Sequence, residues 1–239
     1  MPCPDTTWLL GREAAVQRIF GYLKAHRDGQ IILDPGEPNI RKQALVNTGF
    51  NWKELYPDAC EDVTFDFIQP QGEKVTFTCY VDADHARDKL TRKSVTGIIL
   101  LMNNTPIVWI SKRQKTVETS TYGSELIAAR MAVDLLVEWR YKARVLGLEL
   151  EKESWLLGDN MSVVLNTTLP SSSLKKKHQA CNYHRVREAI AGGYLIFGHI
   201  DSQENVADIC TKPLVLQLFS HITGKYLFRK PPKLLKMTA

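Results

Sequence analysis

Between residues 75 and 82 apolar and polar positions alternate: Val75, Phe77, Cys79 and Val81 interleave with Thr76, Thr78, Tyr80 and Asp82. A period of two puts each set on its own face of an extended chain, so a β-strand with aspartate as its last residue is predicted. Apolar runs over 95–102 and 107–112 predict two more strands, joined by a hairpin turn at Asn103-Asn104. The period then lengthens, and a helix is expected from Thr121 to Leu146, stopped near Gly147. On a helix, Glu125 shares a stripe with Ala129, Ala132, Leu136 and Trp139, whereas Arg130, Asp134 and Glu138 occupy another. A carboxylate therefore heads the face that packs on the sheet, where alanines permit close approach.

Further on, Trp155-Leu156-Leu157-Gly158-Asp159 is a short unbroken apolar run ending in aspartate, the pattern of a strand covered on both faces. A helix over 176–191 is closed by Gly192-Gly193, a strand is expected over 194–200, and a last helix over 204–211 is stopped by Pro213. Ahead of the first strand, Ala15, Ile19 and Leu23 recur every fourth position and predict one amphipathic helix from Arg12 to Lys24. Ile31 to Leu33 is compatible with a short strand, while Pro35 to Pro70 shows no sustained period and reads as an irregular linker. The residues beyond Lys225 are basic and proline-containing, which predicts a disordered tail.

Chain directions follow from this order. If the first strand rises, the hairpins send the second down and the third up, so the long helix begins at the top. The strand ending in Asp159 then rises beside the first. Asp82 and Asp159 are thereby expected at the carboxyl ends of parallel strands, where open α/β sheets place their sites. Glu125, in the first turn of the helix, reaches the same edge, and the strand near Ile200 brings Asp208 there as well. Four carboxylates with no equal set of cations among them repel one another and raise their own pKa values. Hard oxygen ligands select Mg²⁺ or Mn²⁺, and two such ions suit phosphodiester hydrolysis by activating water and stabilising the leaving oxygen.

Composition narrows the classes. A chain of 239 residues, 44% apolar, carries one full domain and an appendage, and its formal charge of +5 suits a polyanionic partner. Five scattered cysteines show neither zinc-site spacing nor a disulfide framework, which predicts a reducing compartment. The longest apolar stretch, 95–102, is far short of the roughly 20 residues that span a bilayer, and Trp8-Leu9-Leu10 is too short for a signal-peptide core. An unsecreted protein of the cytoplasm or nucleus, with no membrane span, is expected.

These residues match a known pattern. YVDADHA at 80–86, SKRQKTVETSTYGSE at 111–125, LLGDN at 156–160 and ENVADICTKPL at 204–214 resemble the RNase H domain of copia-type LTR-retrotransposon polyproteins. RIFGYLKAH at 18–26 resembles the connection segment that follows the reverse-transcriptase palm and thumb in those polyproteins. The resemblance implies an α/β, RNase H-like fold with a five-stranded mixed sheet flanked by helices. It also implies removal of RNA from an RNA–DNA hybrid with two Mg²⁺ ions, Mn²⁺ being an alternative, held by Asp82, Glu125, Asp159 and Asp208. Division into a connection segment at 1–73, an RNase H-like domain at 74–214 and a basic tail at 215–239 follows, with an upstream reverse-transcriptase domain as partner. Such enzymes often carry a mobile histidine ahead of the last aspartate, and His199 is nearest to that place. Tyr80-Val81-Asp82-Ala83 departs from the polymerase motif Y-x-D-D, so DNA synthesis is not expected.

Other side chains are candidates for substrate contact. Lys112, Arg113 and Lys115, with Lys175, Lys176 and Lys177, offer charge to phosphates, although charge runs are ordinarily solvated faces. Asn160 either caps the next turn or touches a 2′-OH. Trp109 and Tyr122 more often pack in a core than stack on sugars, His178 and His184 are more often partly buried helical histidines than substrate contacts, and Asp84 is more often a solvated loop aspartate than a support for the site. Two other functions compete: a catalytically idle nucleic-acid-binding remnant of a retroelement, and an integrase-like nuclease, whose acidic order Asp, Asp, Glu differs from the one here.

Overall fold

A computed structural model of the chain describes residues 16–17, 19–24, 27, 29–40, 50–61, 63, 68–150 and 152–228. Five strands form the main sheet: β1 (Phe77–Asp84), β2 (Val95–Met102), β3 (Thr105–Arg113), β4 (Ser154–Gly158) and β5 (Leu195–His199). Their spatial order is β3-β2-β1-β4-β5, with β2 antiparallel to both neighbours and β4 and β5 parallel to β1. The expected meander is present, and the strand leading to Asp159 does lie beside the first. This is the RNase H-like arrangement. One boundary differs, because pairing continues through Asp82↔Gly97 to Asp84↔Val95, so Asp82 sits two residues before the strand end.

The pleat separates two cores. Phe77, Cys79, Val81 and Ala83 of β1 face the helices α1 (Thr121–Val145), α2 (Met161–Thr168) and α3 (Ala180–Ala191), and with Leu126, Ala129, Ala132 and Leu136 of α1 they form the larger cluster. On the opposite face Ile99 and Leu101 of β2 meet Val206 and Ile222 beneath the one-turn helix α4 (Asp208–Thr211) and α5 (Leu216–Gly224). Strand β3 is one edge of the sheet, and Pro106 with terminal Lys112 and Arg113 suits an edge that pairs on one side only.

Two helices are absent from the sequence reading. The α2 segment is rich in β-branched residues, which weakens its helical signal, but the Asn160 side chain accepts from the Val163 N–H at 3.2 Å and caps it. Within the tail, α5 is held by the burial of Ile222 and is followed by Leu227–Phe228, which pairs with Gln30–Ile31 in a two-residue ladder. The part of the expected tail past 228 lies outside the described residues. The predicted last helix is broken at Asn205, so that a 3₁₀ turn (Ser202–Glu204) precedes α4.

N-terminal residues 16–17 and 19–24 are helical as expected, with Ala15 outside the described residues. Their apolar stripe is not buried: Ile19, Phe20 and Leu23 are exposed, and Tyr22 makes an edge-on ring contact with Phe219. The linker has little regular structure, yet it is docked. Asn104 at the hairpin tip donates to Asp34 and to the Gly36 carbonyl. Tyr56 reaches His184 at 2.7 Å, and Trp52 lies under the Arg187 guanidinium.

The strongest anchor is Glu61. Arg140 of α1 grips it with two parallel bonds of 2.7 Å, Nε to Oε1 and Nη2 to Oε2, while Arg144 adds a third at 2.5 Å. Arg140 also donates to the Lys152 carbonyl and the Ser154 hydroxyl, so one guanidinium joins linker, helix and β4. Burial raises the Glu61 pKa, but the two arginines prevail and hold it below the usual range. Removing this partner leaves Arg140 buried without its charge complement. Glu61→Gln is expected to lower unfolding stability by about 3 kcal/mol at neutral pH, read from a urea midpoint. A loss within roughly 0.5 kcal/mol, the scale of an ordinary surface substitution, would show that the clamp contributes nothing.

Candidate active site

At the carboxyl edge of β1 and β4, Asp82, Glu125 and Asp159 each present a carboxylate oxygen within 4.8 Å of the others. Three elements create this meeting. Asp82 is carried by the central strand, Asp159 directly follows β4, and Glu125 lies in the first turns of α1, which Ser120 caps by accepting from Gly123. The backbone amide of Ala83 favours the charged form of Glu125, in opposition to its burial.

Asp208 is buried beside this group, but it is held differently. Lys212, the residue after α4, places Nζ 2.9 Å from Asp208 Oδ1 and 3.9 Å from Asp82 Oδ2. The hydroxyl of Thr211 donates to Asp82 Oδ2. One ammonium lies between two of the acids, which is still short of an equal set of cations. It escaped the sequence reading because its placement depends on how α4 meets the sheet.

That approach is strict in its steric demands. A Cβ on Gly97 would lie 2.6 Å from Thr211 Cγ2 and 2.7 Å from the Ala207 carbonyl, closer than real carbon atoms come. Gly97 is the register partner of Asp82, so the missing side chain lets α4 lie against the strand pair beside the acid. Buried Asn205 completes the attachment, donating to the Val81 carbonyl at 3.0 Å and accepting from the Ala207 N–H.

Burial raises the proton affinity of the group. Glu125 is pushed up to about 9, first by burial and then by the charges of Asp82 and Asp159. Asp208 is raised to about 6 by burial, with Asp82 and Asp159 adding and Lys212 opposing. Asp82 is also raised, burial outweighing the Thr211 bond and Lys212. Lys212 is raised too: burial alone would lower it, but Asp208 and Asp82 hold its proton. Carboxylates so crowded fit a divalent cation, and the oxygen-only donor set belongs to hard ions.

The remaining candidates fall in several places. His199 Nε2 lies 3.1 Å from the Asp159 carbonyl oxygen, next to the acids but facing backbone, and it borders a cavity of about 330 Å³ with Tyr80 and Tyr226. Lys112 and Lys115 are exposed, and Arg113 pairs with Asp88 at 2.8 Å. Exposed Lys89 and Arg92, in the turn joining β1 to β2, extend this rim and were missed for want of a period around them. On the other side of the α1 start, Lys176 donates to Ser120 while Lys175 and Lys177 are exposed. Tyr122 is half-buried and donates to Asn166, whereas Trp109 is 61% exposed on the edge strand instead of packed in a core. His178 faces buried Glu118 at 3.3 Å, His184 is exposed and bonded to Tyr56, and Asp84 pairs with Arg87.

No family model matches the chain. The Pol polyprotein from transposon RE1 of Arabidopsis thaliana is 30% identical over 166 residues, 68% of this chain and 11% of that polyprotein. Its counterpart from transposon TNT 1-94 of Nicotiana tabacum is 34% identical over 133 residues, 56% of this chain and 10% of that one. The homologues of this chain are copia-type retrotransposon Pol polyproteins. The chain spans about a tenth of their length. Among solved structures, the LC11 RNase H1 isolated from compost superposes with a TM-score of 0.45 at 16% identity, over 57% of this chain and 92% of that one. The strand order β3-β2-β1-β4-β5 carries the fold. Among the described residues no helix is long and apolar enough to cross a membrane, and Cys60, Cys79, Cys181 and Cys210 are free thiols.

Two outcomes follow from the packing and the charge. Gly97→Ala is expected to displace α4 and lower stability by about 2 kcal/mol, with weaker Mn²⁺ binding measured on the folded fraction. An unchanged urea midpoint would show that the contact relaxes freely. Folded Glu125 holds a proton more tightly than an unfolded glutamate, so its contribution to stability in EDTA is complete below the ordinary value of 4.5 and is lost as pH rises toward about 9. Glu125→Gln should flatten that decline and stabilise the EDTA-treated protein at pH 8 by on the order of 1–3 kcal/mol. A decline of equal slope in the variant would locate it elsewhere.

Proposed function

We propose that this chain is the RNase H portion of a copia-type retroelement polyprotein and that it hydrolyses the RNA strand of an RNA–DNA hybrid with divalent metal. The observation that carries this reading is the convergence of Asp82, Glu125 and Asp159 within 4.8 Å at the carboxyl edge of two parallel strands. Homology to Pol polyproteins supports the same reading.

In this proposal Asp82, Glu125, Asp159 and Asp208 hold two Mg²⁺ ions, or Mn²⁺ in their place. Bound ions of this kind polarise water and neutralise the charge growing on the leaving oxygen. The chain's own side chains prepare that chemistry. Burial keeps the carboxylates close and weakly solvated, so they bind either protons or metal strongly. His199, fixed at the Asp159 carbonyl, is the histidine assigned to proton transfer beside the site. Lys89, Arg92, Lys112 and Lys115 on one side, and Lys175 and Lys177 on the other, flank the carboxylate edge with exposed positive charge. A duplex laid across the edge meets phosphate partners on both flanks. Asn160 enters as a candidate for the ribose 2′-OH through its amide nitrogen, because its oxygen caps α2. The reading assigns hydrolysis to this chain and DNA synthesis to an upstream reverse-transcriptase domain of the polyprotein.

Cleavage of a labelled RNA–DNA hybrid in Mg²⁺, with duplex DNA and EDTA as controls, tests the proposal. Asp82→Asn should reduce turnover by roughly 100-fold or more while leaving hybrid binding intact or tighter. Binding without metal-dependent cleavage by the unaltered chain would favour the idle remnant instead. Replacing Lys175 and Lys177 by Glu should lower the salt slope of hybrid binding by about one for each phosphate that the chain ceases to neutralise. An unaltered slope would mean that this flank faces away from the duplex.

A further inference from the structure

The acidic edge divides into two unequal halves. Asp82, Glu125 and Asp159 form one mutual set of oxygens, while Asp208 stands outside that set and is held by the Lys212 ammonium. Asp82 belongs to both halves, since its Oδ2 lies 3.9 Å from the same nitrogen. Lys212 is placed there by several independent interactions. Gly97 admits α4 to the sheet, Asn205 fastens its approach to β1, and the Thr211 carbonyl accepts from Arg87 at 2.6 Å. The lysine side chain is 39% exposed, so its stem has an open route to solvent.

An ammonium and a dication placed on the same oxygens exclude each other. Lysine is a compact charge on a flexible stem, suited to holding two carboxylates together and to letting go when another anion is offered. A phosphate arriving at the edge is such an anion. We propose that Lys212 is a positioning residue, a built-in counter-ion that occupies the Asp82–Asp208 half and makes binding of a second divalent ion there conditional on its withdrawal. Asp82, Glu125 and Asp159 would hold the first ion with Lys212 left in place. Substrate phosphate draws the ammonium outward and so couples arrival of the duplex to completion of the metal pair. This inference rests on the metal-binding reading under Proposed function and deepens it.

Calorimetric titration of the whole chain with Mn²⁺, without nucleic acid and at fixed pH, tests the idea. The unaltered protein should show one site and a second at least about tenfold weaker. Lys212→Met should strengthen the weaker site by about tenfold and change the first by less than about threefold, whereas Lys212→Arg should keep the original pattern. Lys212→Gln, which keeps a polar side chain there without the charge, carries the same expectation as Lys212→Met should that variant fail to fold. Two sites of equal affinity in the unaltered protein overturn the proposal whatever the variants do. So does a folded Met or Gln variant whose second site is unchanged or weaker. No Mn²⁺ binding at all, or binding that survives Asp82→Asn together with Glu125→Gln, overturns the underlying metal reading instead.

Discussion

The mutual repulsion of carboxylates gathered in a poorly solvated edge is the constraint on which this structure turns. Charges of one sign can be packed there only if something positive, or a set of protons, compensates them. The fold supplies one compensating charge of its own in Lys212, which spans Asp208 and Asp82. Glu125, next to the other two acids but beyond that ammonium's ion-pair reach, is the group driven to about 9. The contrast between an acid with a built-in partner and one without it leaves the edge short of positive charge.

Holding that edge together takes more than the acids. The 204–214 segment works as a fastening, with Asn205 bonded to the β1 backbone, Val206 in the smaller core, Thr211 bonded to Asp82 and Lys212 across the two aspartates. Its seat is an absence of side chain at Gly97. A glycine in a central strand ordinarily weakens it by losing a side chain to pack. Here the loss is offset by direct contact between helix and sheet beside Asp82.

The segment preceding the sheet extends the same logic outward. Residues 50–61 form little regular structure, yet they run over α3 and α1 and end at a carboxylate gripped by two arginines. Arg140 connects that segment to α1 and β4, two of the elements that carry the acids. The sheet and its helices are thus tied to the segment ahead of them through charge-assisted bonds.

Much was legible from the sequence. Alternation at 75–82, the hairpin at Asn103-Asn104, the alanine stripe headed by Glu125 and the apolar run before Asp159 report local periods, and local periods survive folding because each faces a core of its own. Chain direction then required Asp82, Glu125 and Asp159 to meet at one edge, and they do. What the sequence could not determine depends on partners far along the chain. Nothing in the sequence around Lys212, Glu61 or Gly97 shows the distant partners that give each its place. Helix α2 was hidden because its β-branched residues have low intrinsic helicity and owe their conformation to a cap and to burial. The order of residues decided which carboxylates come together, since strand direction and helix period are properties of neighbouring positions. Only the tertiary structure decided what stands between them, since a counter-ion, a clamp or a close approach exists only once distant segments share a volume.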